Sequence, residues 1–163
     1  MVSYLNVGSA WGVAAGNPKN FDPSDPCGAT IAVQTGTAQE EYAATLSDEC
    51  VAAGKSKITV MPHELQTDIA TKLIGGQYDA TLADSTVIGY TSAQSAGKIE
   101  QLGDTFESAP QGVAVAKDDA QLTEAVQKAM QYLMDNGYLN DILATSGAEN
   151  AALTTATLNP SVN

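Results

Sequence analysis

The sequence predicts an α/β fold with a mostly parallel sheet covered by helices on both faces. Two observations carry that expectation. Short β-branched or apolar runs alternate with stretches of helical spacing, and glycine, proline or an acidic cap stands at most junctions. No internal repeat or low-complexity segment interrupts the alternation.

Residues 1–15 are apolar with small residues interspersed and predict one or two strands. "GNPKNFDPSDPCG" (16–28) gathers glycine and proline signals into a loop. Ile31–Val33 reads as a short strand, followed by a helix over 38–52 with Tyr42, Leu46 and Val51 roughly on one side. "KITVMP" (57–62) is β-branched and ends at a proline, hence a strand. "HELQTDIATKLIGG" (63–76) spaces Leu65, Ile69 and Leu73 four apart before two glycines stop the helix. "YDATLAD" (78–84) is a strand ending in an acid, and 85–95 a helix. Lys98–Leu102 is a weak strand, 103–110 a loop, and "GVAVAK" (112–117) another strand. Asp118 or Asp119 then caps an amphipathic helix with the stripe Leu122, Val126, Met130 and Leu133. Asn136–Gly137 breaks it, and a short helix over 138–145 presents Tyr138, Ile142 and Leu143. From 147 onward the residues are small and polar.

A length of 163 residues suits one domain, or one and a half small ones, and 44% hydrophobic against 16% charged residues can bury a real core. Apolar runs fall well short of the roughly 20 residues that cross a bilayer. The opening "MVSYLNVGSAWGV" has neither the basic start nor the clean apolar block of a secretory signal. Nineteen acids against seven lysines and no arginine give a net charge of −12. That balance argues against nucleic acid, whose phosphates need clustered positive charge, and against anionic lipid headgroups. His63 is the only histidine, and Cys27 and Cys50 are not part of a Cys-x-x-Cys, so a metal site is not expected. The two cysteines are either a disulfide or two unrelated thiols; a bridge would contribute about 3.5 kcal/mol in the chain-entropy model.

Several apparent motifs fail on chemistry. "AGKS" (53–56) has the end of a phosphate-binding loop, but Glu49 stands where the first glycine is needed and a strand follows. In "DPSDPCG" the prolines and the missing distal glutamate spoil a calcium loop. His63, at the predicted helix start after Pro62, reads as a surface or capping residue, and no hydrolytic triad has support.

Two features remain. In "IAVQTGTAQEEY" (31–42), Gly36 permits a close backbone approach, and the N–H groups of Thr37, Ala38 and Gln39 are the orphan donors of a helix's first turn, where the dipole favours an anion. The competing reading is structural: Thr37 caps the helix and Glu40 completes a capping box. The second feature is Asp84, at the carboxyl end of the third parallel strand, where open α/β sheets gather ligands. Its own competing role is to cap the following helix, "DSTVIGY". An acid and an anion seat on one rim suit a zwitterion.

The ordered set "DPCGATIAVQTGTAQEEY … C … GKSKITVMP … LQTDIATKLIGGQYDATLADS … PQGVAVAKDDAQLTEAVQKAMQYLMDNGYLNDIL … LNP" resembles the amino-acid-binding class of bacterial extracellular solute-binding proteins of ABC importers, most of all the actinobacterial lipoproteins with cysteines at the positions of Cys27 and Cys50. The resemblance implies a periplasmic-binding-protein-like (type II) lobe, a Cys27–Cys50 disulfide, no cofactor and no enzymatic activity. It places residues 1–26 as a crossover or hinge segment with its loop and 27–109 as lobe 2. The return strand is then 110–117, and 118–163 holds the helices that rejoin lobe 1, with the tail. Most of lobe 1, the signal and the lipobox would be absent, so the chain resembles a C-terminal fragment.

By the same likeness, the turn at Gly36, Thr37, Ala38 and Gln39 meets a ligand's α-carboxylate, Asp84 its α-ammonium, and Gln66, with Thr67 beside it, its side chain. Ala38 replaces a common hydroxyl, forfeiting a hydrogen bond of about 1 kcal/mol. The family's carboxylate-clamping guanidinium belongs to lobe 1. Trp11 is expected to pack in the core. The implied partners are an amino acid and, for an intact protein at the cell surface, the importer's membrane subunits. An enzyme on the same fold, dehydratase-like, or a sensor or assembly module are the alternatives, the last because the stripe on 118–146 would lie open to dimerisation.

Overall fold

The computed structural model describes residues 1–161, and five strands form one sheet in the order β3-β2-β4-β1-β5. The strands are β1 (Val2–Ala14), β2 (Thr30–Gln34), β3 (Thr59–His63), β4 (Ala80–Asp84) and β5 (Ile99–Val113). The helices are α1 (Ala38–Ala52), α2 (Gln66–Ile74), α3 (Ser85–Gln94), α4 (Ala120–Asp135) and α5 (Tyr138–Ala144). The chain divides into two compact units: Ser9–Phe106, and Met1–Gly8 with the residues from Glu107 onward.

In the unit Ser9–Phe106, β2 runs parallel to both β3 and β4, while β1 lies antiparallel to β4, so the sheet is mixed. The pleat sorts its residues by parity. Trp11, Val13, Ile31, Val33, Ala80 and Leu82 share a cluster with Ala43 and Cys50 of α1. Ala32 packs instead under Ile69 and Leu73 of α2, and Ala10 and Ala83 under Ile88 of α3. Helix α1 therefore covers one face, and α2 and α3 the other. Two right-handed crossovers leading in opposite directions from β2 to β3 and from β3 to β4 require this. The Cys27–Cys50 disulfide ties the loop before β2 to the end of α1.

Several expectations need correction. Tyr42 and Leu46 pack against the core, but Val51 points to solvent at 57% exposure, and its neighbour Cys50 is buried by the bridge. His63 ends β3 rather than opening a helix; helix α2 begins three residues later, and Leu65 is left exposed. The predicted loop 103–110 and part of the strand 112–117 belong to the single 15-residue β5. Its Gly, Asp, Ser and Pro disfavour strands in general. At the open end of the strand order, however, such residues are tolerated, and positive φ at Gly103 and Glu107 bends the backbone there.

In the other unit, Asp119 is the residue that caps α4, accepting from the Leu122 N–H at 2.9 Å. Val126, Met130 and Leu133 are half-buried, but Leu122 is exposed. On α5 the buried residue is Leu139, while Tyr138 and Ile142 face solvent. The segment after 147 is not merely a tail: Leu5 bridges Ala152 and Val2 bridges Leu158.

Candidate functional site

Strands β2 and β4 are parallel, so the turn after Gln34 and the acid at the end of β4 emerge on one rim. Gly36 takes φ +75°, a left-handed turn that a side chain would strain. A shifted form of the capping box is present: Thr37 accepts from the Glu40 N–H at 3.3 Å, and the Glu40 carboxylate accepts from the N–H of Gly36, one residue before the cap, at 2.7 Å. The Thr37 hydroxyl donates to the Gln34 carbonyl at 2.7 Å. These bonds fix the turn without consuming the N–H groups of Thr37, Ala38 and Gln39, which precede the first intrahelical donor, the Glu40 N–H. The structural role and an anion seat therefore coexist.

Asp84 resolves differently. It stands at the N-cap position of α3, yet its side chain makes no capping hydrogen bond. Its carboxylate turns instead to Gln39, whose Nε2 donates to Asp84 Oδ1 at 2.8 Å and to Ser9 Oγ at 3.1 Å. Gln39 is buried, and Ser9 lies opposite Asp84 in the β1–β4 register. By parity Ser9 and Asp84 both project on the α1 face, with Trp11 and Leu82. The turn and the acid are thus joined through one amide. Ser9 escaped the sequence reading because its role depends on a strand pairing 75 residues away (9 to 84), which has no local signature.

Gln66 and Thr67 open α2 just after the end of β3, which is parallel to β2, and line a hollow between α2 and α3; no hydrogen bond joins them to Asp84 or Gln39 among the described residues. His63 bonds the Tyr78 hydroxyl through Nε2 at 2.6 Å, and no hydrogen bond joins it to Asp84 among the described residues. Trp11 is buried against Phe21, as expected of a core residue.

No protein-family model matches the chain. Over 159 residues, 97% of its length, it is 36% identical to the arginine-binding protein ArgT of Corynebacterium glutamicum. The chain is therefore similar, over nearly its whole length, to part of an amino-acid-binding protein. It spans about half, 52%, of ArgT. Its fold matches a polar amino acid ABC uptake transporter substrate-binding protein from Streptococcus thermophilus (TM-score 0.73, 18% identity, 93% of this chain and 57% of that one). It also matches AbpA of Streptococcus pneumoniae, solved with L-arginine (TM-score 0.57, 21% identity, 93% and 61%). These likenesses give the fold: a type II periplasmic-binding-protein-like architecture.

Proposed function

We propose that the turn at Gly36–Gln39 and Asp84 form one half-site for the backbone groups of a polar amino acid or related zwitterion, in the substrate-binding component of an ABC importer. The carrying observation is the Gln39 bridge, which holds the Asp84 carboxylate beside free N–H donors without neutralising it. A carboxylate on the donors and an ammonium on Asp84 would satisfy both charges. Full affinity requires an opposing half-site and closure over the ligand. The component binds and does no chemistry, since the one histidine is engaged by Tyr78 rather than paired with the acid. An intact protein of this kind works outside the cell as a surface lipoprotein and delivers ligand to membrane subunits.

ArgT's name and the AbpA ligand make L-arginine the first probe. In amide-resolved NMR of this chain, millimolar L-arginine is expected to shift residues 37–39, and Asp84→Asn to weaken binding at least about tenfold, the loss of one charge-assisted hydrogen bond. Micromolar binding by this chain alone, or shifts indifferent to Asp84→Asn, would overturn the half-site.

A second reading, self-association, is favoured by Leu122, Tyr132, Tyr138 and Ile142, all exposed on α4 and α5. Light scattering that shows a monomer at high concentration would end it.

A further inference from the structure

An aspartate ahead of a helix has an ordinary use: its carboxylate accepts from the second or third backbone N–H of the helix and caps it. Asp84 occupies the N-cap position of α3 and leaves that use aside, so the N–H groups of Thr86 and Val87 have no side-chain cap. What holds the carboxylate elsewhere is the Gln39 amide, which donates to Asp84 Oδ1 at 2.8 Å. A glutamine is a weak anchor by itself, because its rotatable bonds must be frozen, and α1 buries only Ala43 and Cys50 besides it. The second Nε2 proton supplies the missing constraint. It is donated to Ser9 Oγ at 3.1 Å, between two buried residues. Ser9 is itself well fixed: it pairs with Asp84 across the β1–β4 ladder, and Trp11, on the same face, is packed against Phe21. Turning the amide over would set Gln39 Oε1 against the Asp84 carboxylate, acceptor against acceptor.

We propose that Ser9 is a positioning residue, which through Gln39 diverts Asp84 from capping α3 and keeps its carboxylate available at the rim. The consequence for binding rests on the half-site reading; the consequence for Asp84 does not. Without the Ser9 oxygen one buried amide proton has no partner, and a buried donor left unpaired is costlier than the bond it made was favourable. The amide then turns toward water, Asp84 is released, and the first-turn N–H groups of α3 take its carboxylate.

Amide-resolved NMR of the whole chain tests both consequences. Without ligand, Ser9→Ala should move the backbone amides of Thr86 and Val87 downfield and slow their hydrogen exchange about fivefold, the signature of a gained cap. Gln39→Met, which removes the donor itself, should do the same, and Ser9→Ala combined with Asp84→Ala should not. With L-arginine, Ser9→Ala should weaken binding about fivefold, the loss of one neutral hydrogen bond. In the Asp84→Ala background it should have no further effect, since its influence passes through that carboxylate. Unchanged Thr86 and Val87 amides in Ser9→Ala, or a loss of arginine binding that persists in the Asp84→Ala background, would overturn the positioning role. A cap gained in Ser9→Ala beside an arginine response indifferent to Asp84 would instead remove the half-site and leave the diversion of Asp84 standing.

Discussion

Ser9, Gln39 and Asp84 show how a few atoms decide a role that residue type leaves open. An aspartate after a strand and before a helix is ordinarily a cap, yet here the helix lacks that bond and the carboxylate is held by a buried amide. Glycine 12 shows the same dependence on surroundings. A Cβ there would lie 2.8 Å from Ile88 Cδ1 and 2.9 Å from Thr81 Cγ2, so α3 approaches β1 only because the side chain is missing. Gly12→Ala should therefore destabilise by about 1–3 kcal/mol, the usual cost of overpacking. Gly112→Ala should cost more, because its Cβ would collide with the Val2 carbonyl, and a backbone cannot turn aside as a rotamer can. Urea unfolding midpoints of the two variants test that order. A smaller loss for Gly112→Ala would mean that β1 and β5 shift freely against each other.

At the scale of elements, α1 is short of intrinsic amphipathic drive. Only Gln39, Ala43 and Cys50 are buried along its 15 residues, and two of those are tied by specific bonds. The helix is held at its first turn by the capping box and at its last by the disulfide to Cys27. Reducing the bridge should release the C-terminal end and, on the chain-entropy model, remove about 3.5 kcal/mol. For a chain of this size that corresponds to a fall of roughly 10 °C in Tm. Calorimetric scans with and without reductant measure it, and Cys27→Ser with Cys50→Ser should reproduce the reduced value. A Tm indifferent to reductant would show that α1 is anchored by packing alone.

Over the whole molecule, the legible parts were those governed by local chemistry. Helix α1 falls on its predicted residues because Thr37 and Glu40 announce its start, and β4 ends at Asp84 as expected because strand ends are readable. The long β5 was missed because its residues suit an edge rather than a strand. Charge is legible in sequence and acts globally. Only three ion pairs form among the described residues, Lys19–Asp79, Lys55–Asp25 and Lys128–Glu124, so most of the 19 acids stand without a cationic partner. Their mutual repulsion destabilises the compact state, and salt screens it over a Debye length of about 10 Å at 0.1 M. Tm should therefore rise as sodium chloride is raised from a few millimolar to about 0.5 M, because the repulsive contribution is strongest when unscreened. The same field bears on the ligand. At the proposed half-site, L-arginine should bind more tightly than L-glutamine, and L-glutamine more tightly than L-glutamate, with the spread narrowing in high salt. NMR titrations at both salt concentrations measure it. An order independent of salt would place the discrimination in direct side-chain contacts, and a reversed order would mean that the acid-rich surface does not govern what reaches Asp84.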